Sequence, residues 1–178
     1  VYPPAIDAAA AGAEAIKLYD TNKDRKISGD ELDKCPALKS AMNRLDTAQT
    51  GAITAEQITD RIKRWQETKL GRTGVTAMVL RGGVPLEGAT VRLVPEDFLG
   101  QNMKVAQGVT NMHGAASLSI ETKGADDPPG VPPGFYRVEI TKDGVNIPAK
   151  YNAETILGVE IALDSPVVRE GIRCDVRK

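Results

Sequence analysis

Asp20-Thr21-Asn22-Lys23-Asp24-Arg25-Lys26-Ile27-Ser28-Gly29-Asp30-Glu31 sets oxygen-bearing side chains at alternate positions and a glutamate at the twelfth. A hard divalent cation such as Ca²⁺ takes about 6–8 oxygen ligands. A loop of this length can wrap such a set around one point. Asp20, Asn22 and Asp24 contribute side chains, and Lys26 contributes its backbone carbonyl. Ser28 contributes directly or through a water, and Glu31 closes the site with both carboxylate oxygens. The opposing reading is a polar surface turn without a metal. The spacing and the flanks argue against it: Ile16 and Tyr19 precede the loop, Ile27 sits at its eighth position, and Leu32 follows it.

This pattern resembles the calcium loop of the EF-hand family. One position departs from it. The sixth residue, where the family turns sharply on a glycine, is Arg25. A left-handed backbone at a non-glycine residue costs about 1 kcal/mol, so the resemblance implies a site that still binds, toward the weaker part of the family's range.

A second copy follows at a period of 26 residues, Asp46 answering Asp20 and Ile53 answering Ile27. Leu38, Ala41, Met42 and Leu45 repeat at helical spacing before it, and Ile58, Ile62 and Trp65 after it. Its ligands have decayed. Ala48, Thr50 and Gln57 stand at positions three, five and twelve, leaving Asp46 as the sole formal charge among the side-chain positions. One carboxylate does not offset the dehydration of a dication, so loop 46–57 is expected to keep its fold without holding calcium. Residues 1–70 thus read as an all-α EF-hand pair. Its entering helix is expected over 5–19 after Pro3-Pro4, and its middle segment over 38–45 as one amphipathic helix.

After the Lys69–Gly74 linker the hydrophobic period changes from 3.6 to 2. Strands are expected at 75–80, 89–94, 105–109, 116–120, 136–140, 159–163 and 172–176, with an eighth possible at Asn146-Ile147. About seven short strands separated by Gly, Pro and Asn turns read as an antiparallel β-sandwich of about 100 residues. In the 159–163 strand Val159, Ile161 and Leu163 alternate with Glu160 and Ala162. The fold class is therefore two-domain α plus β, with domains 1–70 and 74–178, the second expected to fold without the first and without calcium.

Three segments of the second half also resemble the carboxypeptidase regulatory-like (transthyretin-like) sandwich family: Arg81-Gly-Gly-Val-Pro-Leu-Glu-Gly-Ala-Thr-Val-Arg-Leu-Val94, Gly108-Val-Thr-Asn-Met-His-Gly114 and Pro132-Pro-Gly-Phe-Tyr-Arg-Val-Glu-Ile140. The pairing of the two modules is similar to bacterial envelope proteins of unassigned role. It implies a periplasmic, cell-surface or secreted location and a protein or cell-surface partner.

Composition narrows the remaining classes. The 178 residues carry 23 basic and 24 acidic side chains, mixed along the chain, with no Lys/Arg block to suggest nucleic acid. No apolar run reaches the roughly 20 residues of a membrane span. The single histidine, His113, falls in a turn, with no serine near it in a nucleophile-elbow context, so no enzyme is expected. Asp126-Asp127 beside Pro128-Pro129 reads as a solvated, polyproline-like loop. Cys35 and Cys174 are too few for a disulfide framework. Cys174 reads as a buried strand thiol, with a bridge between the two as the alternative. Two other functions stay open. Phe98, Phe135 and Tyr151, if exposed, would give the β half a sugar-stacking face. The helix pair could instead be a calcium sensor that opens an apolar groove, although Met42 is the sole methionine in that half.

Overall fold

Helix α1 (Ala8–Tyr19) begins three residues later than the Pro3-Pro4 pair suggests, because Asp7 is its N-cap: the Asp7 carboxylate accepts the Ala10 N–H at 3.0 Å. The computed structural model describes residues 2–177. After α1 the chain forms β1 (Lys26–Ser28) and α2 (Asp30–Asp33). The segment expected as one amphipathic helix is two short ones, α3 (Pro36–Ser40) and α4 (Met42–Leu45). They meet at Ala41, whose φ of −99° and ψ of 4° break the helical run. Leu38, Ala41 and Leu45 still all face the core. Then come β2 (Ala52–Thr54) and α5 (Ala55–Glu67). Thr54 and Gln57 form a capping box at the start of α5. Strands β1 and β2 pair antiparallel, with Ile27 opposite Ile53 and both fully buried.

The second half is a curled, largely antiparallel sheet of eight strands, and six α-helices accompany the strands among the described residues, so the fold is mixed α and β. The strands are β3 (Val75–Arg81), β4 (Val84–Pro85), β5 (Thr90–Pro95), β6 (Ala106–Val109), β7 (Ala115–Ile120), β8 (Gly134–Thr141), β9 (Gly158–Ile161) and β10 (Ile172–Asp175). They form one hydrogen-bonded path, β10-β3-β7-β6-β5-β8-β9, with β4 beside β3. Three details differ from the sequence reading. The β10–β3 pairing is parallel, made possible by the crossover through α6 (Pro166–Glu170). Asn146-Ile147 is not a strand; the turn runs into Pro148, which offers no N–H to a ladder, and a short 3₁₀ turn at Ala149–Tyr151. Glu160 is fully buried and Leu163 is exposed, the reverse of a simple apolar-in, polar-out alternation.

That reversal has a physical cause: β8 and β9 are covered on both faces. One face packs into the sheet's own core through Tyr136, Val138 and Val159, and the Tyr136 hydroxyl donates to the Pro132 carbonyl at 2.8 Å. The other face lies under the helices. Trp65 stacks edge-on against Phe135 with centroids 4.7 Å apart, Phe135 meets Phe98, and Phe98 meets Tyr19. Phe98 and Phe135 are 2% and 0% exposed, so of the three aromatics whose exposure a sugar-stacking face would require only Tyr151 reaches solvent in part. Helices and sheet thus share one hydrophobic core. The linker is bound as well: Thr73 exchanges two backbone hydrogen bonds with Val131, and Arg72 pairs with Asp127 at 2.8 Å, which pins the proline-rich loop. Cut at the linker, segment 74–178 would expose Phe98, Phe135 and Glu160 to water.

At Gly158 the backbone of α3 rests directly on β9. A Cβ there would overlap the Ala37 nitrogen and the Pro36 carbonyl carbon, and would lie 2.6 Å from the Ala37 Cα. Because the obstacle is backbone, helix and strand must separate. Gly158→Ala is expected to destabilise the protein by about 1–3 kcal/mol, the usual cost of overpacking. Chemical denaturation with Trp65 fluorescence as the probe measures it; an unchanged midpoint would mean that α3 does not sit on β9.

Candidate metal centre

Loop 20–31 lies between the C-terminus of α1 and the start of α2. Its side chains are turned onto its own backbone. Asp20 accepts the Asp24 N–H at 3.2 Å and the Arg25 N–H at 2.9 Å. Asn22 accepts the Asp24 N–H at 2.9 Å, and Asp24 accepts the Lys26 N–H at 2.9 Å. Glu31 is 5% exposed and reaches into the loop. Its Oε1 accepts from the Thr21 N–H at 2.7 Å, the Thr21 hydroxyl at 3.0 Å and the Asn22 N–H at 3.2 Å, while Oε2 accepts from the Ser28 N–H at 3.1 Å.

The backbone turns are the same in both loops. Residues four and six of each loop have positive φ: Lys23 (63°) and Arg25 (67°) in the first, Gln49 (55°) and Gly51 (79°) in the second. Asp46 holds its loop as Asp20 does, accepting the Thr50 N–H at 3.0 Å and the Gly51 N–H at 2.7 Å. The difference is chemical. Gln57, at the position of Glu31, accepts the Thr54 N–H and serves to cap α5. Arg25 occupies the left-handed conformation expected of it, so Arg25→Gly is expected to stabilise the protein by about 1 kcal/mol with the loop's hydrogen bonds retained. Urea denaturation checks it, and a destabilised variant would mean that the Arg25 side chain contributes more than its backbone strain costs.

Hydrogen bonds from Ser28, then from Thr21 and Asn22, hold the Glu31 carboxyl below its ordinary 4.5 despite the opposing effect of burial. Bonds from Thr50 and Gly51 lower Asp46 from 3.8 in the same way. The sign follows from linkage. A depressed carboxyl stabilises the fold above its ordinary value, and that stabilisation is lost as pH falls through its folded-state value. Both loops are therefore acid-labile, below about pH 4.

Nowhere among the described residues do three or more His, Cys, Asp or Glu side chains gather closely enough to hold a metal between themselves. The carboxylates of loop 20–31 are included in this: they are turned onto the loop's own backbone and do not converge on one point. The loop's three carboxylates (Asp20, Asp24 and Glu31) are supplemented by the Asn22 amide, the Ser28 hydroxyl and the Lys26 carbonyl. All six are hard oxygen donors, the chemistry that suits Ca²⁺ rather than a softer metal. Both cysteines are free and buried. Burial pushes the Cys174 thiol up to about 11, which leaves it protonated and unreactive. His113 is exposed on the turn between β6 and β7. A cleft of about 610 Å³, lined by Tyr2, Arg72, Lys104, Lys123 and Asp126 among others, shares no residue with the loop. No helix among the described residues is long and apolar enough to cross a membrane.

The signal that sequence reasoning missed is the charged cluster beneath the helices. Glu160 is met by Arg61 Nε, by Arg44 Nε at 2.5 Å and by the Trp65 indole N–H at 3.0 Å; Arg61 also holds Asp164 in a fork at 2.6 and 2.9 Å. A glutamate at an apparently outward strand position, with two arginines on amphipathic helices, was the available hint. The chain matches no protein-family model, and it matches none of the curated proteins.

Proposed function

We propose that this chain is a non-enzymatic calcium-binding protein of the bacterial envelope or exterior. In this reading an EF-hand-like helix pair takes one structural Ca²⁺ in loop 20–31, and a transthyretin-like sandwich serves as an adhesion or interaction module for a protein or cell-surface partner. The observation that carries it is the doubled loop: two segments 26 residues apart with the same left-handed turns and the same aspartate hold, only the first keeping acidic side chains at positions five and twelve as well. Asp20, Asn22, Asp24, Lys26, Ser28 and Glu31 would hold the ion. A bound dication would offset the mutual repulsion of Asp20, Asp24 and Glu31. The loop would then fix the angle between α1 and α2, and mass action would stabilise the fold. Calcium is abundant outside cells, so even an affinity of ~10⁻⁴–10⁻³ M would suffice.

Burial favours this structural reading over a sensor. The apolar face of the helices, including Ala37, Leu38, Ile62 and Trp65, already lies in the shared core with the sheet. The test is calorimetric titration with calcium, with melting followed beside a hydrophobic dye. One site, no dye binding and a melting point raised by about 5–10 °C at 100 times the dissociation constant are expected. Dye binding that appears with calcium would favour the sensor, and no heat at all would end the calcium reading.

A further inference from the structure

Both ends of loop 20–31 lead to one buried carboxylate on the sheet. Tyr19 immediately precedes Asp20, and its hydroxyl donates to Glu96 Oε2 at 2.9 Å. Cys35, four residues past Glu31, stands at the N-cap position of α3 without capping it through its side chain, and its thiol faces the same carboxylate without hydrogen-bond geometry. Glu96 follows β5 and is fixed by its own N–H to the Phe135 carbonyl at 2.9 Å. It is 1% exposed. Its Oε1 has no hydrogen-bond partner, and its Oε2 lies 3.4 Å from an Arg137 guanidinium that is itself partly exposed.

A buried carboxylate with a bare oxygen is the form that burial penalises, and a proton relieves the penalty. Protonation also turns the Tyr19 bond from a charge-assisted one into a weaker neutral one. Tyr19 ends α1, so its hold on the sheet fixes where Asp20 enters the loop. We propose that Glu96 is a proton-sensitive positioning residue that couples the sheet to loop 20–31 through Tyr19, so that proton uptake at Glu96 loosens the loop and weakens its affinity for a divalent cation. The affinity clause rests on the calcium reading; the coupling itself does not.

The surroundings isolate Glu96 as the group that titrates. Burial, with the nearby Glu96 charge, raises both Tyr19 and Cys35 far above neutrality, so both stay uncharged. The Arg137 guanidinium faces Glu96, and Asp97 is the exposed chain neighbour. Burial raises Glu96 from 4.5 against the opposing pull of Arg137 and Tyr19. For a raised carboxyl the stabilising contribution is largest below 4.5 and declines as pH rises toward the folded-state value, opposite in sign to Glu31 and Asp46.

The test compares the intact wild-type chain with Glu96→Gln and Tyr19→Phe, first without calcium. In the wild type, carboxyl-carbon NMR should show Glu96 titrating above the ordinary glutamate value, and the amides of Thr21–Ser28 should shift with the same midpoint. In Glu96→Gln that loop transition should vanish. In Tyr19→Phe, Glu96 should still titrate while the loop no longer follows. Loop amides blind to the Glu96 midpoint, or still following it in Tyr19→Phe, would overturn the coupling. Calcium titrations at pH 5.5 and 7.5 then read the affinity. The wild type should lose about fivefold more than Glu96→Gln, the low end of allosteric couplings; the loop carboxylates are common to both proteins and cancel. Equal losses would overturn the affinity clause. Coupling without any calcium heat would instead refute the calcium reading and leave the proton coupling standing.

Discussion

Glu160→Ala is expected to destabilise the protein by about 3–5 kcal/mol, the usual consequence of removing one partner from a buried ion pair. In a chain of this length that is a fall in melting temperature of roughly 10 °C. The variant strips Arg61, Arg44 and the Trp65 indole of their shared acceptor in a place where water does not reach: the Arg61 side chain is 4% exposed and Glu160 is 0% exposed. Burial opposes the Arg61 charge, and the bonds to Asp164 and Glu160 outweigh it and hold the guanidinium above its usual value. The loss therefore leaves Arg44 without its carboxylate and the buried Arg61 with only the exposed Asp164, which is more than a missing surface contact. The diagnostic companion replaces all three charges, Arg44→Met, Arg61→Met and Glu160→Leu together. If the single variant suffers from an orphaned charge, the triple variant should recover most of the stability, because apolar replacements of similar volume are often neutral or better. Trp65 fluorescence follows the same junction. A single variant within 1 kcal/mol of wild type would mean that this cluster does not hold the helices to the sheet.

This cluster marks the boundary of what the sequence could disclose. The 26-residue repeat and the two matching loop turns were legible because loop geometry and helical flanks are local: each depends on residues within about a dozen positions. Most strands were legible for the same reason, alternation being a property of neighbours. Alternation, however, assumes that one face of the strand is wet. In β8 and β9 neither face is, so alternation set Phe135 opposite the core-facing Tyr136 and gave no sign that Phe135 and Glu160 would be among the most buried side chains in the molecule. The partners that make Glu160 acceptable lie 99 and 116 residues away on helices whose own patterns look complete without it. The same distance hid the junction of Tyr19 with Glu96, separated by 77 residues. The late start of α1 was a different kind of miss: Pro3-Pro4 drew attention from Asp7, a better cap three residues on. What escaped is thus mainly the docking of one half onto the other, which no local pattern encodes.

Glu31→Gln is expected to abolish calcium binding by the whole protein, moving any residual affinity beyond ~10⁻³ M, the weak end of the range for such loops. Two consequences of one atom change combine. The loop loses one of its three negative charges, and the second loop offers Asp46 alone in compensation, with Gln57 already engaged in capping α5. The substitution also sets an NH₂ donor where the loop presents donors. The Thr21 N–H and hydroxyl and the Asn22 N–H converge on one Glu31 oxygen and the Ser28 N–H on the other, so whichever way the amide turns, at least one N–H faces it without an acceptor. The calcium-free protein should therefore also melt earlier than wild type at neutral pH. That deficit should shrink toward pH 4 and below, where the wild-type carboxyl gives up its own advantage by protonation. The two effects separate cleanly. Calorimetry that still finds one site in Glu31→Gln would assign the ion to other residues. An unchanged calcium-free melting curve would show instead that Glu31 does not organise the loop before metal arrives, whatever the ion does afterwards.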